Sequence, residues 1–198
     1  MLFLSSCKYK VEEQAGFFCQ YYNLDCLKEN IVVTFSTSKG DFDVELFGSS
    51  NPLTVSNFKK NISENIYSNS KFYKIIKYPN TTIIYGGIHS KNNQKFLSKK
   101  TIKTLPLEIS LSIKNEPIYN KEISDPLKFK LLKNKFQKGS ISMAKISKTK
   151  SSSTEFFIST QNAAVLDGRY SIFGKVISGV EILNNIDRND LIKKIEFY

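Results

Sequence analysis

Histidine is almost missing from this chain: His89 is the only one in 198 residues. Cysteine is nearly as scarce, with Cys7, Cys19 and Cys26 and none after them. These three are not spaced as a CxxC pair and have no histidine beside them, so a metal site is not expected. A histidine-based or metal-dependent mechanism has almost nothing to work with, and no cofactor is expected. No stretch reaches the ~18 consecutive apolar residues of a membrane-spanning helix. Zinc-knuckle spacings and aromatic-rich RNA-binding signatures are absent, so specific nucleic-acid recognition is not expected. There is no internal repeat. Acidic residues are few, 18 against 29 Lys and Arg.

That acidic deficit is local. From His89 to Lys150 there are fifteen lysines against four acids (Glu108, Glu116, Glu122 and Asp125), and this stretch carries the whole net charge of +11. Such a block can attract an anionic membrane surface, an acidic polypeptide or nucleic acid, and it equally suits a solvated loop. The remaining composition is ordinary: 40% hydrophobic, 24% charged and 13% aromatic. That is enough for one domain around one sizeable core, expected to be a monomer, and it argues against disorder.

The N-terminus reads Met1-Leu2-Phe3-Leu4-Ser5-Ser6-Cys7. Leu-Ser-Ser-Cys resembles a bacterial lipobox, with Cys7 as the residue that would take lipid, although the basic and most of the apolar parts of a signal are missing. Export would leave Cys19 and Cys26 as a candidate disulfide stapling a short helix around Glu12–Leu27; in the cytosol all three would be free thiols. The expected location is the bacterial cell envelope, periplasmic or lipid-anchored, with the cytoplasm as the alternative. The division expected is residues 1–30 as a lipoprotein-like or signal remnant with a short helical segment, then a domain over 31–198 carrying a basic insertion at about 89–138.

The body alternates short β runs with turn chemistry. Ile31–Phe35 is largely β-branched, Ser38-Lys39-Gly40-Asp41 supplies a turn, and Phe42, Val44 and Leu46 alternate on one face, which reads as a hairpin. Asn51-Pro52 suits a helix start, with Val55, Phe58 and Ile62 at helical spacing. Phe72–Ile76, Thr82–Tyr85, Leu107–Leu111, Ser140–Ala144, Glu155–Ser159, Ile172–Val176 and Ile192–Phe197 read as further strands, and Val180–Ile186 as a helix. The Gly86-Gly87 pair marks a bulge or a close backbone approach. The expected fold is mainly β: a closed antiparallel β-barrel with two short helices capping its ends.

Several of these segments, in order, resemble the cyclophilin family of peptidyl-prolyl isomerases. They are Gly40-Asp41-Phe42-Asp43-Val44-Glu45-Leu46-Phe47, Asn51–Phe58, Phe72–Ile76, Gly139–Ala144, Glu155–Thr160, Leu166–Tyr170, Phe173-Gly174-Lys175-Val176 and Gly179-Val180-Glu181. The resemblance runs from about Ile31 to Tyr198 and implies a cyclophilin-like barrel and prolyl isomerase activity assisting protein folding, on proline-containing polypeptides. It also implies where the chemistry sits. The family's arginine position is Lys74, which keeps the charge but lacks the planar fork. Counting back from Gly86-Gly87, Tyr85 stands for a Gln, Ile83 for a Met and Thr82 for a Phe; Tyr78 is the alternative for the aromatic role. Glu155 stands for a substrate-binding Gln, and an ionised Glu accepts hydrogen bonds but cannot donate them. Val165 replaces a Trp found in many members. Ala144, Phe157, Leu166 and Tyr170 match the family's pocket. The implied catalytic residues are thus Lys74 and Glu155; on one account the two form a salt-bridged pair that still presents a donor to the proline nitrogen. The implied substrate-binding residues are Thr82, Ile83, Tyr85, Ala144, Phe157, Leu166 and Tyr170. Two outcomes remain open: an isomerase of reduced activity, or a catalytically inactive module that binds proline-containing or extended segments. A third, a basic protein binding nucleic acid or acidic polymer through residues 89–150, has only the charge behind it.

Overall fold

A computed structural model of the chain describes residues 13–89, 104–114 and 116–198. Cys7 and residues 90–103 of the basic block lie outside these. The described elements, in chain order, are α1 (Glu13–Tyr21), β1 (Ile31–Thr37), β2 (Gly40–Leu46), α2 (Pro52–Ser63), β3 (Ser70–Lys71), β4 (Lys74–Tyr78), β5 (Thr81–Gly87), β6 (Thr104–Pro106), β7 (Glu108–Ile109), β8 (Ile118–Tyr119), α3 (Pro126–Phe129), β9 (Ser140–Lys145), β10 (Lys150–Ser159), β11 (Ile172–Ser178) and β12 (Leu191–Phe197). Short 3-10 segments occupy Ala164–Leu166 and Val180–Asn185. The second expected helix is therefore a 3-10 segment, entered through Gly179 at a φ of 71°.

Alternation sets the first hairpin. Val33 and Phe35 of β1 and Phe42, Val44 and Leu46 of β2 are buried on one face, and Thr37 pairs with Gly40 across a Ser38-Lys39 turn. The main sheet continues this pattern in the order β3-β12-β1-β2-β11-β9-β10-β5-β4, with β6 also on β10. Every pairing in it is antiparallel. The sheet curls on itself but its ladder is not closed, which corrects the closed barrel expected from sequence. The two edge strands, β3 and β4, are consecutive in the chain and joined by Phe72 and Tyr73. The Phe72 N–H donates to Asp190 O on one side and the Tyr73 N–H to Tyr85 O on the other, so the linker bridges the gap instead of a ladder.

Inside the curl, rings fill the space. Phe35 stacks on Phe42 with centroids 4.9 Å apart, and Phe58 meets Phe156 edge-on at 5.8 Å. Fully burying a side chain of this size stabilises the fold by roughly 1.5–3 kcal/mol. Helix α2 lays Val55, Phe58 and Ile62 on this core, as their spacing predicts.

The start of α2 departs from expectation. Asn51 is the N-cap residue, yet its side chain makes no cap hydrogen bond; its amide donates to Glu108 O at 3.1 Å. The helix is capped from β7 instead. The Glu108 carboxylate accepts from the N–H groups of Leu53 (3.1 Å) and Thr54 (2.9 Å) and from the Tyr119 hydroxyl (2.8 Å). A carboxylate there satisfies two otherwise orphaned donors and meets the positive end of the helix dipole. Glu108 is wholly buried, and burial pushes its carboxyl above the usual glutamate value despite those three bonds.

Helix α1 packs Ala15 and Cys19 against Leu53, Leu105 and Tyr119, so the N-terminal segment shares a core with the barrel. Cys19 and Cys26 are joined by a disulfide across a Cα separation of 5.5 Å.

Candidate active site

The register of neighbouring strands assembles one row of side chains. Lys74 of β4 lies opposite Tyr85 of β5, and Tyr85 opposite Phe157 of β10. Residues directly opposed in an antiparallel ladder project to the same face. Here that is the outer face, because the alternate residues Ile84, Phe156 and Ile158 point into the core. Strand β9 extends the row: Ser142 lies opposite Phe157, and Ala144, two positions on, shares its face and is buried.

Phe157 is the floor of the site. It packs with Ile83, Phe136, Ala163 and Ile172, while Tyr85, Leu166 and Tyr170 lean on the cluster. Phe136 stacks on it at 5.6 Å and 10°, Tyr85 tilts over it at 5.4 Å, and Tyr170 meets it edge-on at 5.1 Å. These are favoured geometries for aromatic pairs. The rings leave Phe157 only 1% exposed. Phe136 has no counterpart among the expected site residues. It lies inside the stretch taken as an insertion, and only the fold brings it under Phe157.

A lysine stands over each tyrosine. The Lys74 ammonium is 5.3 Å from the Tyr85 ring centre, and that of Lys145 is 5.4 Å from the Tyr170 ring centre. Both are within cation–π range. Lys145 also pairs with Glu122. Lys74 takes part in no ion pair among the described residues.

The expected Lys74–Glu155 pair is therefore not formed. Glu155 sits opposite Gly87, two positions from Phe157, while Lys74 sits opposite Tyr85. Strand β5 thus separates the two diagonally, by about 10 Å of sheet width alone. The Glu155 Oε2 instead accepts from the Tyr73 hydroxyl at 3.2 Å. Tyr73 is a second residue missed from sequence; its place directly before Lys74 was the available signal. Burial and the Glu155 carboxylate hold the Tyr73 phenol well above the usual tyrosine range. Burial, with Tyr170 and Tyr78 nearby, pushes Tyr85 up to about 12. Both phenols are neutral at neutral pH; the Tyr73 O–H is the one given to Glu155, and the Tyr85 O–H can serve as a donor.

Thr82 does not join this face. Strand alternation sets it with Ile84, and its N–H and C=O are both bonded to Thr160. Tyr78, opposite Thr81, falls on the Tyr85 side. It is exposed at the end of the β4–β5 hairpin. Val165, where many family members carry Trp, is also exposed.

The position of Glu155 is built from behind. Between Ser151 and Phe156, β10 slips out of register with β9. The amides of Asn57 and Asn61 on α2 both donate to Ser153 O at 2.7 Å, and the Ser152 Oγ accepts the Glu155 N–H at 3.0 Å. Opposite this bulge Gly87 adopts a φ of +91°, and a Cβ there would come within 2.2 Å of Thr154 O. No other residue type fits that approach without moving the strand. An apolar floor, an exposed ammonium beside it, and phenol and carboxylate groups along one side can hold a peptide ring and aim a donor at it.

The chain is similar to known proteins in sequence and in fold. The family model described as "Cyclophilin type peptidyl-prolyl cis-trans isomerase/CLD" matches residues 32–195. A peptidyl-prolyl cis-trans isomerase of Acinetobacter baylyi is 26% identical over 162 residues, covering 79% of this chain and 72% of that protein. The peptidyl-prolyl cis-trans isomerase-like 3 of Dictyostelium discoideum is 30% identical over 156 residues, covering 79% and 81%. A cyclophilin type isomerase of Cryptosporidium parvum, crystallised in the presence of the dipeptide Ala-Pro, superposes with a TM-score of 0.59 at 28% identity, covering 84% of this chain and 98% of that one. With its fold, its ordered motifs and the match over residues 32–195 in agreement, the chain belongs to the cyclophilin-type peptidyl-prolyl cis-trans isomerase family.

Proposed function

We propose that this chain is a peptidyl-prolyl isomerase of reduced activity, with Lys74 as the donor to the proline nitrogen. Rotation about a peptide bond faces a barrier of ~18–20 kcal/mol, and an uncatalysed X-Pro bond takes roughly tens to hundreds of seconds to turn. No bond breaks. The catalyst must bind the twisted amide more tightly than either planar form. Twisting returns a lone pair to the proline nitrogen, and a donor aimed there stabilises the transition state. The observation that carries this reading is the row Lys74–Tyr85–Phe157, which sets an exposed ammonium beside an apolar floor. An ammonium drawn over a tyrosine ring is a poorer aimed donor than a guanidinium fork, which is the reason for reduced activity. Glu155, bonded to Tyr73, would fix the substrate chain by accepting its N–H groups.

The substrates would be proline-containing polypeptide segments, in keeping with the Ala-Pro used with the Cryptosporidium relative. A coupled assay on short Ala-Pro and Gly-Pro peptides tests this directly. A rate above background at micromolar protein, lowered by Lys74→Ala and raised by Lys74→Arg, is the expected result. Absence of any rate rejects catalysis.

A second reading, an inactive module that binds proline-containing or extended segments, is favoured by the place of the Lys74 ammonium over the Tyr85 ring, which draws it from an aimed position. Peptide binding without turnover would support it. For location, the lipobox-like Leu4-Ser5-Ser6-Cys7 and the Cys19–Cys26 disulfide support a cell-envelope protein lipidated at Cys7. Its basic stretch, residues 89–150, would face anionic lipid or an acidic partner. Mass spectrometry of the mature N-terminus tests the lipid: an unmodified Cys7 rejects it.

A further inference from the structure

On the side of Lys74 away from Phe157 lies a surface cleft of about 960 Å³. Its walls come from the segment after α2, the start of β4, the end of β5 and the turn before β12. Among the described residues three cations line it, Lys71, Lys74 and Arg188, together with His89 and one carboxylate, Glu64. Tyr73, the partner of Glu155, lines it too, and Lys74 belongs both to the cleft and to the row over Phe157.

The cations are held there by the fold. Lys71 of β3 pairs with Leu191 of β12. The Asn189 N–H donates to Phe72 O at 2.8 Å, and the Asn69 N–H to Lys193 O at 3.2 Å. These bonds clamp the Arg188 turn against the Lys71 strand. The acids beside Arg188 in sequence are engaged elsewhere: Asp187 and Asp190 both face Lys39, at 3.9 and 3.7 Å. Asp190 also accepts from the Ser38 hydroxyl and the Asp187 N–H. None of Lys71, Lys74 and Arg188 forms an ion pair among the described residues. Like charges gathered in a concave surface raise its potential and favour an anion of matching size. An anion arriving on a polypeptide already laid across Phe157 would meet all three.

We propose that this cleft is the subsite for an acidic residue, Asp or Glu, in the polypeptide whose proline occupies the Phe157 site. The inference rests on the reading of that site as a proline-segment site, and it adds a substrate class: proline segments with an acid close by. An extended chain advances about 3.3–3.6 Å per residue. Because Lys74 belongs to both places, the acid lies within about three residues of the proline.

The test uses fluorescently labelled peptides of one length with a central Ala-Pro. Each carries Glu, Gln or Lys at one of the three positions on either side. Binding is read by anisotropy and isomerisation is measured in parallel. Exposed ion pairs are individually weak, so the expected gain for the best-placed Glu over Gln is about fivefold to tenfold, with Lys weaker than both. High salt should abolish the gain, since exposed charges are screened. Lys71→Glu combined with Arg188→Glu should reverse the order so that the Lys peptide binds best, which a misfolded protein could not do. Lys71→Gln with Arg188→Gln should level it. Equal binding of Glu and Gln peptides at every position overturns the proposal, as does an order unchanged in the charge-reversed variant, or no binding of any peptide. Acid preference without turnover would reject catalysis and leave the subsite standing; turnover without acid preference would reject the subsite alone.

Discussion

The Lys74 ammonium rests 5.3 Å from the ring centre of Tyr85, its directly opposed partner across the β4–β5 ladder. This one contact links the two departures from the family pattern that matter most. The ring that stands where the family carries Gln both covers Phe157 and draws in the only cation of the row. Tyr85→Gln should therefore uncover the floor and release Lys74 at once. The expected outcome is a kcat/KM on an Ala-Pro peptide about twofold to fivefold above the wild type, as loss of a partly exposed cation–π contact worth ~0.5–1 kcal/mol would allow. A lower value would show that Tyr85 contributes to substrate binding.

Phe157 is packed as a core residue as well as lying in the candidate site, being 1% exposed in a cluster with seven ring and aliphatic neighbours. Phe157→Ala should cost about 3–5 kcal/mol in urea unfolding, the range for deleting a buried ring. Phe157→Leu should cost less and keep part of the apolar floor. A loss for Phe157→Ala below about 1 kcal/mol would mean that the surrounding rings collapse into the space.

Glu108 makes stability depend on pH in a definite direction. Its folded pKa is raised above the ordinary 4.5, burial outweighing its hydrogen bonds. The folded state then holds the proton to higher pH than the unfolded state does. The contribution of Glu108 is fully present below the ordinary value and declines as pH rises through the folded value. Glu108→Gln, which keeps one acceptor oxygen and loses the other, should be less stable than wild type by about 1–3 kcal/mol in mildly acid solution. The gap should narrow as pH rises. Chemical denaturation of both proteins across pH checks the sign; a widening gap would mean that the α2 N–H groups outweigh burial.

The Cys19–Cys26 bridge closes a loop of sequence separation 7, and loops of this size contribute about 2–3 kcal/mol in the chain-entropy account. Since α1 touches none of the row over Phe157, Cys19→Ser with Cys26→Ser should loosen α1 and spare the site. Hydrogen exchange should show faster exchange over Glu13–Tyr21 with unchanged protection in β5 and β10. Loss of protection in β10 would show that α1 supports the barrel.

The elements legible in the sequence are those set by near neighbours. The β1–β2 hairpin follows from alternating apolar residues around a turn, and α2 from Pro52 and the spacing of Val55, Phe58 and Ile62. The motif from Gly139 to Val176 was enough to name the family, because its glycines and apolar residues answer to strand geometry that any member must satisfy. Thr82 takes the side of Ile84, since strand alternation, and not distance from Gly86, decides which side it faces.

By itself, then, the sequence determined the family and the order of the strands' hydrophobic faces, and its resemblance to the family pointed to Lys74. Only the tertiary structure decided what those residues do to one another. Phe136 lies 21 positions from Phe157 yet stacks on it, Glu108 caps a helix 55 positions away, and Glu155 bonds to Tyr73, 82 positions away, instead of pairing with Lys74. The physical reason is the same in each case. Alternation and spacing say which face a side chain takes, but its partner is set by strand register and by the filling of space, which depend on the whole chain closing around its core.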